Sequence, residues 1–360
     1  MKFQSGRSID PSNPESPFYL IPTRHIPVMY YRTLGKTALE ISEIGFGCGN
    51  IGGMMVRGSH EEQVRVVRRA LDLGISYFDT AAAYGDGRSE INLGVVLEEI
   101  GAKVTLATKV RHGPQDVTNL KEATIASVEQ SLGRLRKKSV DLIQLHTRIR
   151  LRRGEGRFAL TPEEILGQAG VLEAFKVLRE QGKVRHFGFS GLGEPEALHA
   201  LVDSGEFHSI QAYYNMLNPS AGQPVPAGFS ALDYGGLIDH AAGKGMGVVV
   251  VRVLAAGALS ANPEAGGSTN RDPLSPGSNF ALDVKRAQKL AFLIQGDFKT
   301  LSQAAIRFAL MKPEVSTVLV GFSNLGQIEE AVGCLRTGGL PGEAMVHLRQ
   351  LWESDFGAAL

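Results

Sequence analysis

Four side chains suited to acid–base chemistry stand at or just beyond the ends of apolar stretches of this sequence. Asp79 closes one stretch, and Tyr84 follows it after a short turn. Lys109 ends a second stretch and His146 a third. A phenol can give a proton to a carbonyl oxygen, and a nearby ammonium stabilises the phenolate that remains. Asp79 would hold Lys109 charged, and His146 would position the substrate oxygen or share the proton transfer.

This chemistry requires parallel strands lying side by side, because only then do their carboxyl ends meet on one face. The chain alternates between strand-like runs and segments with apolar residues at helical spacing. The predicted strands are 43–48, 76–79, 104–109, 140–146, 184–190, 209–212, 247–251 and 316–320, and the predicted helices are 61–73, 120–135, 172–179, 287–294 and 302–311. Eight such units predict an α/β fold, a closed (β/α)8 TIM barrel. An open doubly wound sheet is the alternative, although no G-x-G-x-x-G follows the first strand.

The rest of the chain is organised around this barrel. Residues 1–29 are rich in Pro and Ser without periodicity, which predicts a flexible extension ahead of a single barrel domain over 30–360. A short hairpin around Gly35 and Lys36 is predicted before the first barrel strand. Long loops at 147–161, 215–231 and 255–282 are expected on the C-terminal face, where they would form a pocket or a lid.

The composition excludes several classes of partner. A net charge of +1 gives no field for nucleic acid or anionic membrane. The cluster of Arg148, Arg150, Arg152 and Arg153 is predicted to be a solvated loop. Two cysteines and no apolar run near the ~18–20 residues of a membrane span predict a cytoplasmic protein. His25, His60 and His112 lie on predicted loops or termini without paired ligands at metal-site spacing, so no metal site is expected.

The strand-end motifs resemble those of the aldo-keto reductases, from about Tyr31 to near residue 335. The matching motifs are Asp79-Thr80-Ala81 with Tyr84-Gly85, Ala107-Thr108-Lys109-Val110, Asp141 to His146, and Ser89-Glu90 with Leu93-Gly94. The resemblance implies a nicotinamide cofactor bound without a Rossmann domain. It also implies that Asp79, Tyr84, Lys109 and His146 form a catalytic tetrad. A hydride would pass between the nicotinamide and a small aldehyde, ketone or aldose, with Tyr84 handling the proton.

The resemblance further implies cofactor contacts along the second half of the barrel. The implied residues are Ser190, Gly191, Gln211, Arg252, Leu254, Ala256, Gly257, Gly321, Phe322, Ser323, Gln327 and Glu330. Gly191 replaces the asparagine usual in the family, and Val251 stands where the family often has an aromatic residue. Arg252 either faces the pyrophosphate or lies on the barrel end.

The cofactor is expected to be NAD(H) or NADP(H), with a lean to NAD(H). The reason is that no Lys or Arg lies between Lys312 and Arg336, where NADP-preferring members pair a cation with the 2′-phosphate. Arg271, in a distant loop, is the alternative source of that charge.

The segments 188–192 and 318–327 look most like the sugar dehydrogenase branch, exemplified by galactose dehydrogenase. That likeness implies an aldose oxidised at its anomeric carbon. Two other functions stay open. A Schiff-base lyase would use Lys109 as its nucleophile, which requires an uncharged lysine. A cofactor-binding regulatory subunit, like the reductase-related subunits of potassium channels, would keep the tetrad but turn over little.

Overall fold

The computed structural model describes residues 29–154, 157–260 and 279–357, so the predicted extension, apart from Met29, lies outside the described residues. The strands are β1 (Tyr31–Thr33), β2 (Glu40–Ser42), β3 (Ile44–Gly47), β4 (Tyr77–Asp79), β5 (Thr105–Val110), β6 (Val140–Leu145), β7 (Arg148–Ile149), β8 (Ala159–Leu160), β9 (Val184–Ser190), β10 (Ser209–Tyr213), β11 (Gly247–Val251) and β12 (Val315–Gly321). In the described part of the chain, eight of them close a parallel barrel in the order β10, β11, β12, β3, β4, β5, β6, β9. The predicted barrel is therefore confirmed, and the open doubly wound sheet is wrong.

Helices alternate with the barrel strands and cover their outer faces. They are α1 (Met54–Arg57), α2 (His60–Asp72), α3 (Arg88–Ile100), α4 (Leu120–Leu135), α5 (Pro162–Leu166), α6 (Val171–Glu180), α7 (Pro195–Asp203), α8 (Leu237–Gly243), α9 (Phe280–Gln288), α10 (Leu301–Leu310), α11 (Leu325–Gly333) and α12 (Gly342–Glu353). The predicted helix 120–135 has the bounds of α4, whereas the predicted helix 287–294 is wrong. Asn279 caps α9 by accepting a hydrogen bond from the Leu282 amide, so this helix begins earlier and ends at Gln288.

The N-terminal hairpin closes the bottom of the barrel. β1 pairs with β2 in antiparallel register, and Leu34 and Ile41 pack against the interior residues Tyr77 and Val249. Gly35 has a φ of 50°, and a Cβ at this position would lie 2.2 Å from the backbone nitrogen of Gly247. The turn therefore requires glycine. The described hairpin therefore covers this end of the barrel, and the cavity described below lies at the opposite end.

The loops at the carboxyl ends of the strands form the top of the barrel. The segment predicted as a loop over 147–161 contains β7 and β8, which pair in parallel with each other. Residues 261–278 of the loop after β11 lie outside the described residues. Trp352 of α12 is buried and donates a hydrogen bond to the Met216 carbonyl at 2.8 Å, which is a packing role. None of the described helices is long and apolar enough to cross a bilayer.

Candidate active site

A cavity of about 640 Å³ opens at the carboxyl ends of the barrel strands. Asp79, Tyr84 and His146 line it, and Lys109 lies behind the Tyr84 hydroxyl with 2% of its surface exposed. The strand ends of β4, β5 and β6 therefore bring the four predicted catalytic residues together. This volume falls within the range of small-molecule sites.

The Lys109 ammonium organises the centre of this group. Its Nζ forms an ion pair with Asp79, and it donates hydrogen bonds to the Thr80 carbonyl at 2.8 Å and to the Tyr84 hydroxyl at 3.1 Å. An ammonium has three N–H donors, so all three are used. The same nitrogen lies 4.6 Å from the centroid of the Tyr84 ring. The phenol is thus held with its oxygen beside a fixed positive charge.

The charge state of Lys109 follows from its partners. Burial disfavours the ammonium, but the nearby Asp79 carboxylate and Tyr84 hydroxyl outweigh burial and raise the pKa of Lys109 to about 12. A Schiff-base lysine attacks a carbonyl carbon only in its uncharged form. The geometry therefore disfavours Lys109 as the nucleophile of a lyase.

Gln211 extends the hydrogen-bond chain across the barrel. Its Nε2 donates to Oδ2 of Asp79 at 2.7 Å, and its Oε1 accepts a hydrogen bond from the Ser190 hydroxyl at 3.1 Å. Ser190 and Gln211 both line the cavity. In addition, Gln211 holds the Asp79 carboxylate that pairs with Lys109. This second contact could not be predicted from the sequence, because it joins strands far apart in the chain.

His146 lies against Tyr84 at the cavity wall. The two ring centroids are 5.8 Å apart and the rings meet edge to face at 86°. Burial and the positive charges of Lys109 and Arg111 hold the pKa of His146 well below its ordinary value. The ring is therefore neutral at neutral pH and offers one N–H donor. Of the two roles left open by the sequence, the geometry favours orienting a substrate oxygen over delivering a proton.

The Ser89-Glu90 motif fixes the turn that carries Tyr84. The Ser89 hydroxyl is hydrogen-bonded to Thr80 at 2.8 Å. The buried Glu90 carboxylate accepts from the Thr108 hydroxyl at 2.5 Å and from Arg134 Nε at 2.6 Å. Since Thr108 precedes Lys109, this carboxylate joins the start of α3 to the strand that supplies the ammonium.

The loop after β11 has an unusual backbone. Arg252, Ala255 and Ala256 have φ values of 58°, 45° and 59°, a region that non-glycine residues adopt at a cost of about 1–3 kcal/mol each. Arg252, Leu254, Ala256 and Gly257 all line the cavity. Turns of this kind can point backbone N–H groups at an anion.

Gly191 also lines the cavity, and its lack of a side chain has a local cause. Its amide donates to the Gln211 carbonyl at 2.8 Å, and a Cβ at this position would lie 2.8 Å from the same oxygen. The asparagine usual in the family would therefore clash unless one of these strands moved.

The segment after β12 forms the far end of the cavity. Gly321, Ser323, Gln327 and Glu330 line it, and the Glu330 carboxylate accepts a hydrogen bond from the Thr300 hydroxyl at 2.5 Å. Phe322, which was also predicted to contact the cofactor, does not line the cavity because its side chain points into the core.

The Phe322 ring is 1% exposed and packs on Phe46 with centroids 5.3 Å apart. Its side chain is a core residue, so the predicted cofactor contact at Phe322 would have to come from its backbone. Side chains alternate in extended backbone, so Gly321 and Ser323 lie at the cavity while the Phe322 side chain points away from it.

The lining residues that were missed as site residues include three arginines and a tyrosine: Arg111, Arg148, Arg157 and Tyr213. The solvated-loop prediction is wrong for Arg148, which is half-buried. A signal existed, because Arg111 and Arg148 each follow a tetrad residue by two positions, and such pairs share a face in extended backbone. Tyr213 lies opposite Val251 in the register of β10 and β11. It supplies an aromatic ring one strand away from the position where the family often has one.

Among the residues described, no group of three or more His, Cys, Asp or Glu side chains could hold a metal ion.

Comparisons with known proteins agree with this geometry. The sequence profile of the Aldo/keto reductase family matches residues 43–353. The chain is 29% identical to L-galactose dehydrogenase of Arabidopsis thaliana over 84% of this chain and 87% of that protein. It is also 29% identical to a putative voltage-gated potassium channel subunit beta of Schizosaccharomyces pombe, over 84% of this chain and 87% of that one.

A solved structure shares the fold. The holo form of the aldo-keto reductase AKR11C1 from Bacillus halodurans superposes with a TM-score of 0.68 at 25% identity, covering 90% of this chain and 96% of that one. The family profile spans most of the sequence, and the barrel has the fold of the solved aldo-keto reductase. This chain therefore belongs to the aldo/keto reductase family of NAD(P)-dependent oxidoreductases.

Proposed function

We propose that Tyr84 is the general acid and base of this oxidoreductase, acting on the oxygen of a carbonyl or alcohol substrate. The observation that carries the proposal is the 3.1 Å contact between the Tyr84 hydroxyl and the Lys109 ammonium at the wall of the cavity. Asp79 keeps that ammonium charged and in place. No other described tyrosine has a lysine nitrogen as a hydrogen-bond partner.

The residues around the cavity suit a nicotinamide dinucleotide. The loop after β11 offers a curved backbone for a pyrophosphate, and Ser190 and Gln211 offer polar groups next to Asp79. Asn50 lines the cavity, and its buried Oδ1 has no hydrogen-bond partner among the described residues. An unpaired buried acceptor of this kind is available to a donor on a ligand.

The roles of the chain's own residues follow from their geometry. When bound, the nicotinamide supplies the hydride in reduction and takes it in oxidation. In reduction, Tyr84 donates its proton to the carbonyl oxygen as negative charge develops there. Lys109 then stabilises the phenolate, and Asp79 balances the charge of Lys109. The neutral His146 donates an N–H to the same substrate oxygen and orients it. In oxidation, the phenolate removes the hydroxyl proton.

We propose NAD(H) as the preferred cofactor. Ser323, Gln327 and Glu330 at the far end have no lysine or arginine beside them among the described lining residues. Arg69 of α2 approaches α11 but forms an ion pair with Glu329 at 2.8 Å. Arg271, the alternative source of charge, lies outside the described residues.

Parallel titrations with NADH and NADPH, followed by nicotinamide fluorescence, test this choice. We expect NADH to bind more tightly. Ser323→Arg, which places a cation at an exposed lining position, should increase NADPH affinity relative to NADH, whereas the uncharged Ser323→Gln should not. Tighter binding of NADPH to the unaltered protein would contradict the NAD(H) assignment. Binding of neither cofactor would contradict the proposed reaction itself.

We further propose an aldehyde or aldose as the substrate. The relative L-galactose dehydrogenase is named for an aldose, and the resemblance of segments 188–192 and 318–327 to the sugar dehydrogenase branch supports the same class. A cytoplasmic location is consistent with Cys48 and Cys334, which are both free and buried.

A further inference from the structure

The cavity wall formed by the loops after β5 and β6 is rich in arginine. Arg111 lies two residues beyond Lys109, Arg148 two residues beyond His146, and Arg157 in the loop that leads to β8. All three line the cavity. Their side chains come from separate segments, so their meeting at one wall is a property of the fold rather than of a charge run.

Two of these arginines, Arg111 and Arg148, have no carboxylate partner among the described residues. Among the described residues, the acids that line the cavity are Asp79, which pairs with Lys109, and Glu330, which lies at the far end on Thr300. Among the described residues, Arg111 and Arg148 form no ion pair, whereas Arg153 in the same loop pairs with Glu164.

The arginine wall adjoins the proposed cofactor contacts only at β9, which pairs with β6, and β10 to β12 lie further round the barrel. Those contacts come from β9 to β12 and the loops that follow, while the arginines follow β5 and β6. Tyr84 and His146 lie at the same cavity, and the charge of Arg111 acts directly on His146. A group bound by the arginines would therefore belong to the substrate.

We propose that the substrate is an anionic carbonyl compound, whose phosphate or carboxylate group is bound by Arg148 together with Arg111 and Arg157. Guanidinium groups bind both anions through paired, charge-assisted hydrogen bonds. This inference rests on the proposed function, because it places the reacting carbonyl at Tyr84.

The electrostatics of Arg148 agree with an anion at this position. Burial lowers the pKa of its guanidinium, and the neighbouring charges of Arg157 and Arg150 lower it further. A bound anion would relieve both effects. A neutral substrate would not offset the repulsion between Arg148 and its neighbouring arginines.

Matched pairs of aldehydes test the proposal. The probes are glyceraldehyde with glyceraldehyde 3-phosphate, and butanal with 4-oxobutanoate, each reduced at saturating cofactor. We expect the anionic member of at least one pair to have a kcat/KM about ten- to a hundredfold higher, as expected for hydrogen bonds to a charged group. The pair that shows the preference identifies phosphate or carboxylate as the group bound.

Two variants assign the preference to the arginine wall. Arg148→Gln should reduce the ratio of anionic to neutral kcat/KM at least tenfold. Arg152→Gln removes an exposed arginine of the same loop that does not line the cavity and should leave the ratio unchanged. Equal kcat/KM within both pairs would overturn the proposal while leaving hydride transfer intact. A weaker affinity of Arg148→Gln for the cofactor, with an unchanged ratio, would also overturn it, since the arginine would then serve the cofactor.

A binding measurement keeps the test independent of turnover. If no aldehyde is reduced, the proposed function fails. Calorimetric titration of the protein with glycerol 3-phosphate, with glycerol as control, then decides whether the wall binds anions. Binding that Arg148→Gln abolishes supports the anion site, and absence of binding overturns it.

Discussion

Tyr84→Phe is expected to lower kcat for carbonyl reduction by about 10²- to 10⁴-fold, the usual contribution of a positioned general acid. The substitution removes only the hydroxyl that accepts from Lys109 at 3.1 Å. The ring, its edge-to-face contact with His146 and the cavity wall all remain. The affinity for the nicotinamide cofactor should stay within about twofold, because the phenol acts on the substrate oxygen. Single-turnover kinetics and a fluorescence titration measure the two quantities on the same preparation.

Tyr234→Phe is the matched control for this variant. Tyr234 is buried and stacked on Tyr213 with centroids 5.9 Å apart, but it does not line the cavity. Removing its hydroxyl should leave kcat near the original value. Retention of near-full kcat by Tyr84→Phe would show that another group donates the proton. An equal loss in both variants would point to general destabilisation.

Lys109→Met is expected to abolish most activity and to reduce the free energy of unfolding by about 3–5 kcal/mol, the usual cost of breaking a buried ion pair from one side. Lys109 and Asp79 are each 2% exposed, so the remaining carboxylate cannot be solvated without rearrangement. Gln211 would still donate to it at 2.7 Å, but a neutral amide does not balance its charge. Urea unfolding of the variant and the original protein measures the difference.

The double variant Asp79→Asn with Lys109→Met separates stability from catalysis. It removes both charges, so it should recover much of the stability lost in Lys109→Met, while activity stays low because no ammonium faces Tyr84. Destabilisation equal to the sum of the two single variants would contradict the coupled pair.

The strand ends were the predictable part of this protein. The predicted strands 184–190 and 247–251 have the bounds of β9 and β11, because apolar runs between turn signals mark buried parallel strands clearly. Once the strands are parallel, Asp79, Lys109 and His146 must meet on one face. The meeting of the proposed catalytic residues therefore followed from topology and residue type together.

Features that depend on packing between distant segments were harder to predict. The bond from Gln211 to Asp79 joins residues whose strands become neighbours only across the closed barrel. Phe322 was assigned to the cavity by resemblance, but the position of its side chain depends on Phe46. A run of arginines in the sequence does not show which side chain faces the cavity. Arg148 lines the cavity after β6, whereas Arg153 is paired with Glu164 at the surface.

The most direct test of the central claim is the transfer of deuterium from C4 of a labelled nicotinamide to the substrate. The protein would be given NADH with deuterium at both C4 positions and, separately, NADPH labelled in the same way, each with an aldehyde, and the alcohol product would be analysed by mass spectrometry. The account predicts one deuterium on the former carbonyl carbon of the product. Tight binding of the cofactor without any labelled product, across neutral and anionic aldehydes and aldoses, would contradict it. That result would favour a regulatory subunit that keeps the barrel and the tetrad but does not carry out the reaction.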